Sequence, residues 1–240
     1  MAKETKNNEA WKKIWNSPET LLSKHNWKEA LELEHDVIKK ITKREIRLLN
    51  KNSFDRLDQR PPQFEERDLF LLTHTNDQFV IVKGSKDAYF DFSKEKIQHK
   101  NEQTLNIDEY KDRRVGLSIG KSESRALDLA YIIGLIGEFS GHDKSLKLTM
   151  RLRHYIDKEK GFECEVGENK NKIKFSGCQY EADAVYESKN NIVIIEMKEK
   201  TKTWKEKQHN IKQLYFPFRV IDMKQKELGL NNKEFVDFCI

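Results

Sequence analysis

The stretch that decides the fold is Glu181–Lys200, EADAVYESKNNIVIIEMKEK. Runs rich in β-branched and aromatic residues, 180–187 and 192–198, meet at Ser188-Lys189-Asn190-Asn191, so the pattern predicts two strands joined by a tight turn. Those strands carry Glu181, Asp183, Glu196 and Lys198 where packing alone would ask for apolar residues. If the turn is the two-residue type centred on Lys189-Asn190, cross-strand partners run symmetrically away from it. Asp183 then faces Glu196, and Glu181 faces Lys198. Side chains alternate along a strand, so all four fall on one face, and a one-residue slip would scatter them.

Directly opposed carboxylates repel, and the flanking Ile194 and Ile195 add a desolvation cost. A hard divalent cation relieves both. Mg²⁺ prefers oxygen ligands, and Asp183, Glu196 and the adjacent Met197 carbonyl form such a set while leaving positions for water and a phosphate. On the same face, the Lys198 amine could orient an attacking water or stabilise charge developing on a phosphate. The pattern points to phosphodiester hydrolysis. Its alternative is a solvated strand face closed by salt bridges, in which Glu181 does no more than pair with Lys198.

Upstream, residues 8–50 read as small helices: Trp11, Ile14 and Trp15, then Ala30, Leu31, Leu33, Val37, Ile38 and Ile41 fall near helical spacing. Ser17-Pro18-Glu19 reads as a helix start, with Pro at the first helical position. After a Pro61-Pro62 loop, 69–73 and 78–82 predict a hairpin, and 89–92 a third short strand. The polar segment 93–114 is the natural boundary, giving an N-terminal helical and hairpin module over 1–100 and a second domain over 101–240. Ser122–Phe139 predicts one buried helix capped by Ser122. Strands are predicted at 146–155, 163–166 and 173–175, and a helix over 203–214 that ends before Pro217.

With 240 residues the chain has material for a real core. The net charge of +5 fits a polyanion partner, although many proteins without one share so mild an excess. Cys164, Cys178 and Cys239 lack close metal-ligand spacing, which excludes a zinc knuckle and speaks against a disulfide framework. No apolar run has membrane length, and MAKETKNNEA has no signal-peptide core. The expectation is a soluble cytoplasmic protein with no membrane partner.

Asp183, twelve residues, then Glu196-Met197-Lys198 behind 192–195 resembles the PD-(D/E)XK nuclease signature. The wider stretch is similar to one group of type II restriction endonucleases, on Gln179-Tyr180-Glu181-Ala182-Asp183, Ile195-Glu196-Met197-Lys198 and Lys212-Gln213-Leu214-Tyr215-Phe216-Pro217-Phe218-Arg219. The resemblance implies an α/β (α+β) fold: a restriction-endonuclease-like mixed β-sheet flanked by helices. It also implies Mg²⁺ dependence, with Mn²⁺ able to substitute, and double-stranded DNA as substrate. Asp183 and Glu196 would be metal ligands and Lys198 would position the nucleophilic water. Glu138, on the helix before the core, is the best-placed further acidic ligand, and Gln213 would contact the site from the following helix. A two-fold homodimer and a cognate DNA methyltransferase are the partners expected of the class, and in this reading the N-terminal helices and hairpin of 1–100 would help to grip or read the DNA. Members of the group continue past a strand such as 235–240, which carries the expectation of a missing C-terminal portion. The competing functions are a catalytically silent or partner-dependent DNA-binding remnant, and a repair or recombination nuclease on the same core. Lys147, Arg151, Arg153 and Arg219 are further phosphate-contact candidates, equally explained as a basic solvated face.

Overall fold

The computed structural model of the protein describes residues 6–43, 45, 49, 54–91, 123–141, 145–196, 208–230 and 233–239. The expectations for 93–114 and Ser122, and for the site residues Met197 and Lys198, lie outside them. Helix α1 (Lys6–Asn16) is followed by strand β1 (Leu31–Glu34), which runs straight into α2 (His35–Thr42). Next come α3 (Pro62–Glu65), β2 (Leu69–Thr73), β3 (Gln78–Lys83) and β4 (Tyr89–Asp91). Helices α4 (Glu123–Ile132) and α5 (Leu135–Phe139) lead to β5 (Lys147–Tyr155), β6 (Phe162–Val166) and β7 (Asn171–Phe175). Then follow β8 (Gln179–Glu187), β9 (Asn191–Glu196), β10 (Gln208–Asn210), α6 (Lys212–Glu227) and β11 (Glu234–Cys239). The fold is mixed α+β, with small sheets and several helices.

The chain divides into two compact units, one of residues 1–92, 154–180 and 205–215, the other of 93–153, 181–204 and 216–240. The first is built on an antiparallel sheet of order β1-β3-β2. Leu33 faces Phe79, and Leu71 faces Ile81, so one face is apolar and covered by Trp11, Ile14 and Trp15 of α1, Ile38 of α2 and Phe64 of α3. Trp11 meets Phe54 and Phe64 edge-on at 5.3 and 5.2 Å, an arrangement aromatic rings favour. The β6–β7 hairpin belongs to this unit: the Glu168 amide donates to the Lys83 carbonyl (2.9 Å), the Asn169 side chain donates to the Trp27 carbonyl (3.1 Å), and the Asn171 Oδ1 accepts from the Ala30 amide (2.9 Å).

His35 opens α2 with its ring 4.3 Å from Phe79, its amide donating to Asp77 (2.8 Å) and its Nε2 buried. Burial holds its pKa below the ordinary 6.5, helped by His74 and opposed by Asp77, the Asn76 carbonyl and Asp36. The unfolded chain therefore takes up this proton first, so His35 costs stability as pH falls from about 6.5 towards the lower folded value. We expect melting temperature to drop across that window, and the drop to be smaller in His35→Leu. An unchanged pH profile in the variant would remove His35 from the account.

In the second unit the sheet order is β11-β9-β8-β5, with β8 and β9 antiparallel and β9 and β11 parallel. Leu127, Ala130 and Ile136 of α4 and α5 pack on Ala184, Tyr186, Val193 and Ile195. The opposite face meets α6, because Phe235, level with Ile192, lies edge-on to Phe218 at 4.8 Å. Lys233, just before β11, pairs with Glu187 of β8.

Four local expectations are corrected. Leu31 and Leu33 belong to a strand, since their alternation with Glu32 and Glu34 lets them pair with Ile81 and Phe79. Ser17-Pro18 follows the end of α1 instead of starting a helix, and the Ile14 carbonyl accepts from the Ser17 amide (3.2 Å) and the Thr20 hydroxyl (2.7 Å). The 122–139 helix is broken at Gly134 (φ +81), whose freedom from Cβ admits the left-handed step between α4 and α5. Residues 208–210 form a strand with β4, and α6 continues through Pro217, where burial of Phe216 and Pro217 offsets a lost helical hydrogen bond.

Candidate active site

The β8–β9 turn has the two-residue geometry the sequence called for. The Ser188 amide donates to the Asn191 carbonyl (2.9 Å), while the Ser188 hydroxyl accepts from the Asn190 and Asn191 amides (3.2 and 3.0 Å). Ala184 lies level with Ile195, Val185 with Ile194, Tyr186 with Val193 and Glu187 with Ile192. One further step of this register sets Asp183 level with Glu196.

The pleat then sorts the residues. Ala184, Tyr186, Val193 and Ile195 enter the core under α4 and α5, so Asp183, Val185, Ile194 and Glu196 turn to the other face. Glu196 is only 5% exposed and Asp183 is half-buried, while Glu181 is exposed. An acidic pair with one buried member is electrostatically expensive without a cation or donor opposite it. On the helix-covered side, Tyr186 stacks on Tyr131 at 5.1 Å, and the Tyr131 hydroxyl donates to Leu146 (3.1 Å), fixing α4 against the hairpin. On the β5 side, the Thr149 hydroxyl donates to the Val185 carbonyl (3.3 Å).

The other predicted residues are not gathered in the same way. Glu138 is exposed on α5, in the layer that covers the face from which Asp183 and Glu196 point away. Gln213 is half-buried in the first turn of α6, in the part of that helix assigned to the first unit. Among the described residues, no group of three or more His, Cys, Asp and Glu is disposed to hold a metal ion. Asp183 and Glu196 number two, and as hard oxygen donors they suit Mg²⁺ completed by a backbone carbonyl, water and phosphate. Sequence reasoning missed the Lys233–Glu187 pair and the Phe218–Phe235 contact that secure β11 beside the hairpin, because nothing local links residues so far apart.

No helix among the described residues is long and apolar enough to cross a membrane. No curated protein and no solved structure matches the chain significantly. Residues 8–81 match the family model described as Domain of unknown function (DUF6996). Residues 84–233 match Domain of unknown function (DUF6997), which takes in β8, β9 and α6, and since that match spans more than half of the sequence the chain belongs to the DUF6997 family.

Proposed function

We propose that the protein is a Mg²⁺-dependent endonuclease of the restriction type that hydrolyses phosphodiester bonds of double-stranded DNA. The observation that carries this reading is the β8–β9 register, which levels Asp183 with a buried Glu196 on one face, two residues before Lys198. The element order adds support: helix, three sheet strands, helix and a final strand parallel to β9, with helices against both sheet faces. That order resembles a restriction-endonuclease-like core. Two-fold homodimerisation, a companion methyltransferase and a cytoplasmic location belong to the same proposal.

In this mechanism Asp183 and Glu196 would hold the cation, with the Met197 carbonyl available as a third oxygen. Bound Mg²⁺ supplies Lewis-acid charge at the scissile phosphate. Lys198 holds the attacking water through its Nζ and offsets negative charge on the phosphate as the bond to the leaving oxygen breaks. Glu181, on the same face of β8 as Asp183, would steer that amine. The buried setting of Glu196 strengthens these interactions relative to water.

Lys198→Ala tests the assignment. Single-turnover cleavage is expected to fall by about 10² to 10³-fold, with duplex affinity and melting temperature nearly unchanged. A wild-type rate in the variant would take Lys198 out of the mechanism.

A further inference from the structure

The outer faces of α1 and α2 carry more lysine than acid. Helices α1 and α2 bury Trp11, Ile14, Trp15 and Ile38 in the same core. Turned away from it and exposed are Lys6, Lys12 and Lys13 on α1, Lys39 and Lys40 on α2, and Lys43 at the end of α2. The same surface holds Glu9 and Asp36, and Glu19 is taken by Lys40 at 3.2 Å. Lys6, Lys13, Lys39 and Lys43 have no ion pair among the described residues.

Some other exposed basic residues have an acidic neighbour, while Lys24, Lys28, Lys147 and Lys189 have no ion pair among the described residues. On β6–β7, Lys172 lies opposite Glu165 and Lys174 opposite Glu163. On α6, Lys226 pairs with Asp222 at 2.7 Å and Lys224 with Glu227 at 3.0 Å. A last-turn lysine complements its helix dipole, which accounts for Lys13 and Lys39. The dipole does not account for Lys6, at the opposite end of α1, where a cation is unfavourable. Unpaired ammonium groups carried on the exposed faces of two helices suit a polyanion with regularly spaced charges.

We propose that the outer face of α1 and α2 binds the phosphate backbone of duplex DNA, adding sequence-independent affinity to a site that reads or cuts elsewhere. The inference rests on the nuclease reading for the identity of its partner. Each lysine that displaces a condensed counterion contributes about 0.9 to the slope of log K against log salt.

The test measures anisotropy of a labelled mixed-sequence duplex with the full chain, Ca²⁺ replacing Mg²⁺, at salt from about 50 to 200 mM. For K6Q/K13Q/K39Q/K43Q the slope should be shallower than wild type by about 3 to 4, with circular dichroism unchanged. A decrease smaller than about 2 overturns the surface. If the quadruple variant melts early, K6Q/K43Q, which leaves the two last-turn lysines in place, should lower the slope by about 2, and a change under about 1 is the refuting result. Wild-type protein that cleaves DNA but shows no slope change on substitution leaves the nuclease reading standing without this surface. Wild-type protein that binds no duplex overturns both.

Discussion

Asp183→Asn is expected to abolish DNA cleavage while making the metal-free protein melt higher. Asp183 sits level with Glu196, which is 5% exposed, so the native fold holds two carboxylates together on a covered face. Replacing one with an isosteric amide relieves like-charge repulsion worth about 0.2 to 1 kcal/mol for a directly opposed pair. The same change removes a hard anionic ligand. Mg²⁺ at ten times its dissociation constant would stabilise the wild type by about 1.4 kcal/mol, and the variant should gain almost none of it. The lost cation would cost several kcal/mol of transition-state stabilisation, a rate loss of about 10³-fold or more. Thermal melts of both proteins with and without Mg²⁺ read out the effect. Equal melting temperatures in all four conditions would refute the paired-carboxylate argument.

Gly167→Ala is expected to be the most destabilising single methyl addition in the first unit. Gly167 ends β6 with φ +74, and a Cβ there would lie 2.3 Å from the Lys83 carbonyl oxygen and 2.4 Å from Val82 Cγ1. Neither neighbour moves cheaply, because the Lys83 carbonyl accepts the Glu168 amide at 2.9 Å and Val82 is fully buried. The loss should be about 3 kcal/mol or more, in the range of overpacked and strained sites. Gly141→Ala is the control: φ is +78, but among the described residues nothing lies within 4 Å of its Cβ position, so the left-handed penalty of about 1 kcal/mol is what applies. Urea titrations should show a lower midpoint with unchanged slope for Gly167→Ala. Equal midpoints for the two variants would mean that the β6–β7 turn is not packed on β3 as described.

The parts of the fold legible in sequence are those whose partners are close along the chain. The β8–β9 register could be read from Lys189-Asn190 and a period of two, and the β2–β3 hairpin from two runs of strand formers on either side of 74–77. Strand β1 was hidden because its partner β3 lies far along the chain, leaving Leu31 and Leu33 compatible with helical spacing until Ile81 and Phe79 are placed beside them. Strand β10 is three residues long and owes its form to β4. Pro217 looked like a helix end because local rules weigh the missing amide and not the burial of Phe216 beside it. The helix pattern over 123–139 announced a buried face without saying which sheet face it covers. Glu138 therefore seemed well placed until Ile136 and Leu127 located the layer on the side away from Asp183. The turn of β6–β7 docks on Lys83 through a backbone hydrogen bond, which leaves no signature in residue type, and on Trp27 through Asn169, whose partner lies too far along the chain to be read locally.

The most direct measurement is incubation of the wild-type protein with mixed-sequence plasmid and phage DNA, once with Mg²⁺ and once with EDTA. The account predicts discrete fragments with Mg²⁺ and intact DNA with EDTA, the fragment ends marking the preferred site. Intact DNA in both, from protein that folds and binds duplex, would contradict it.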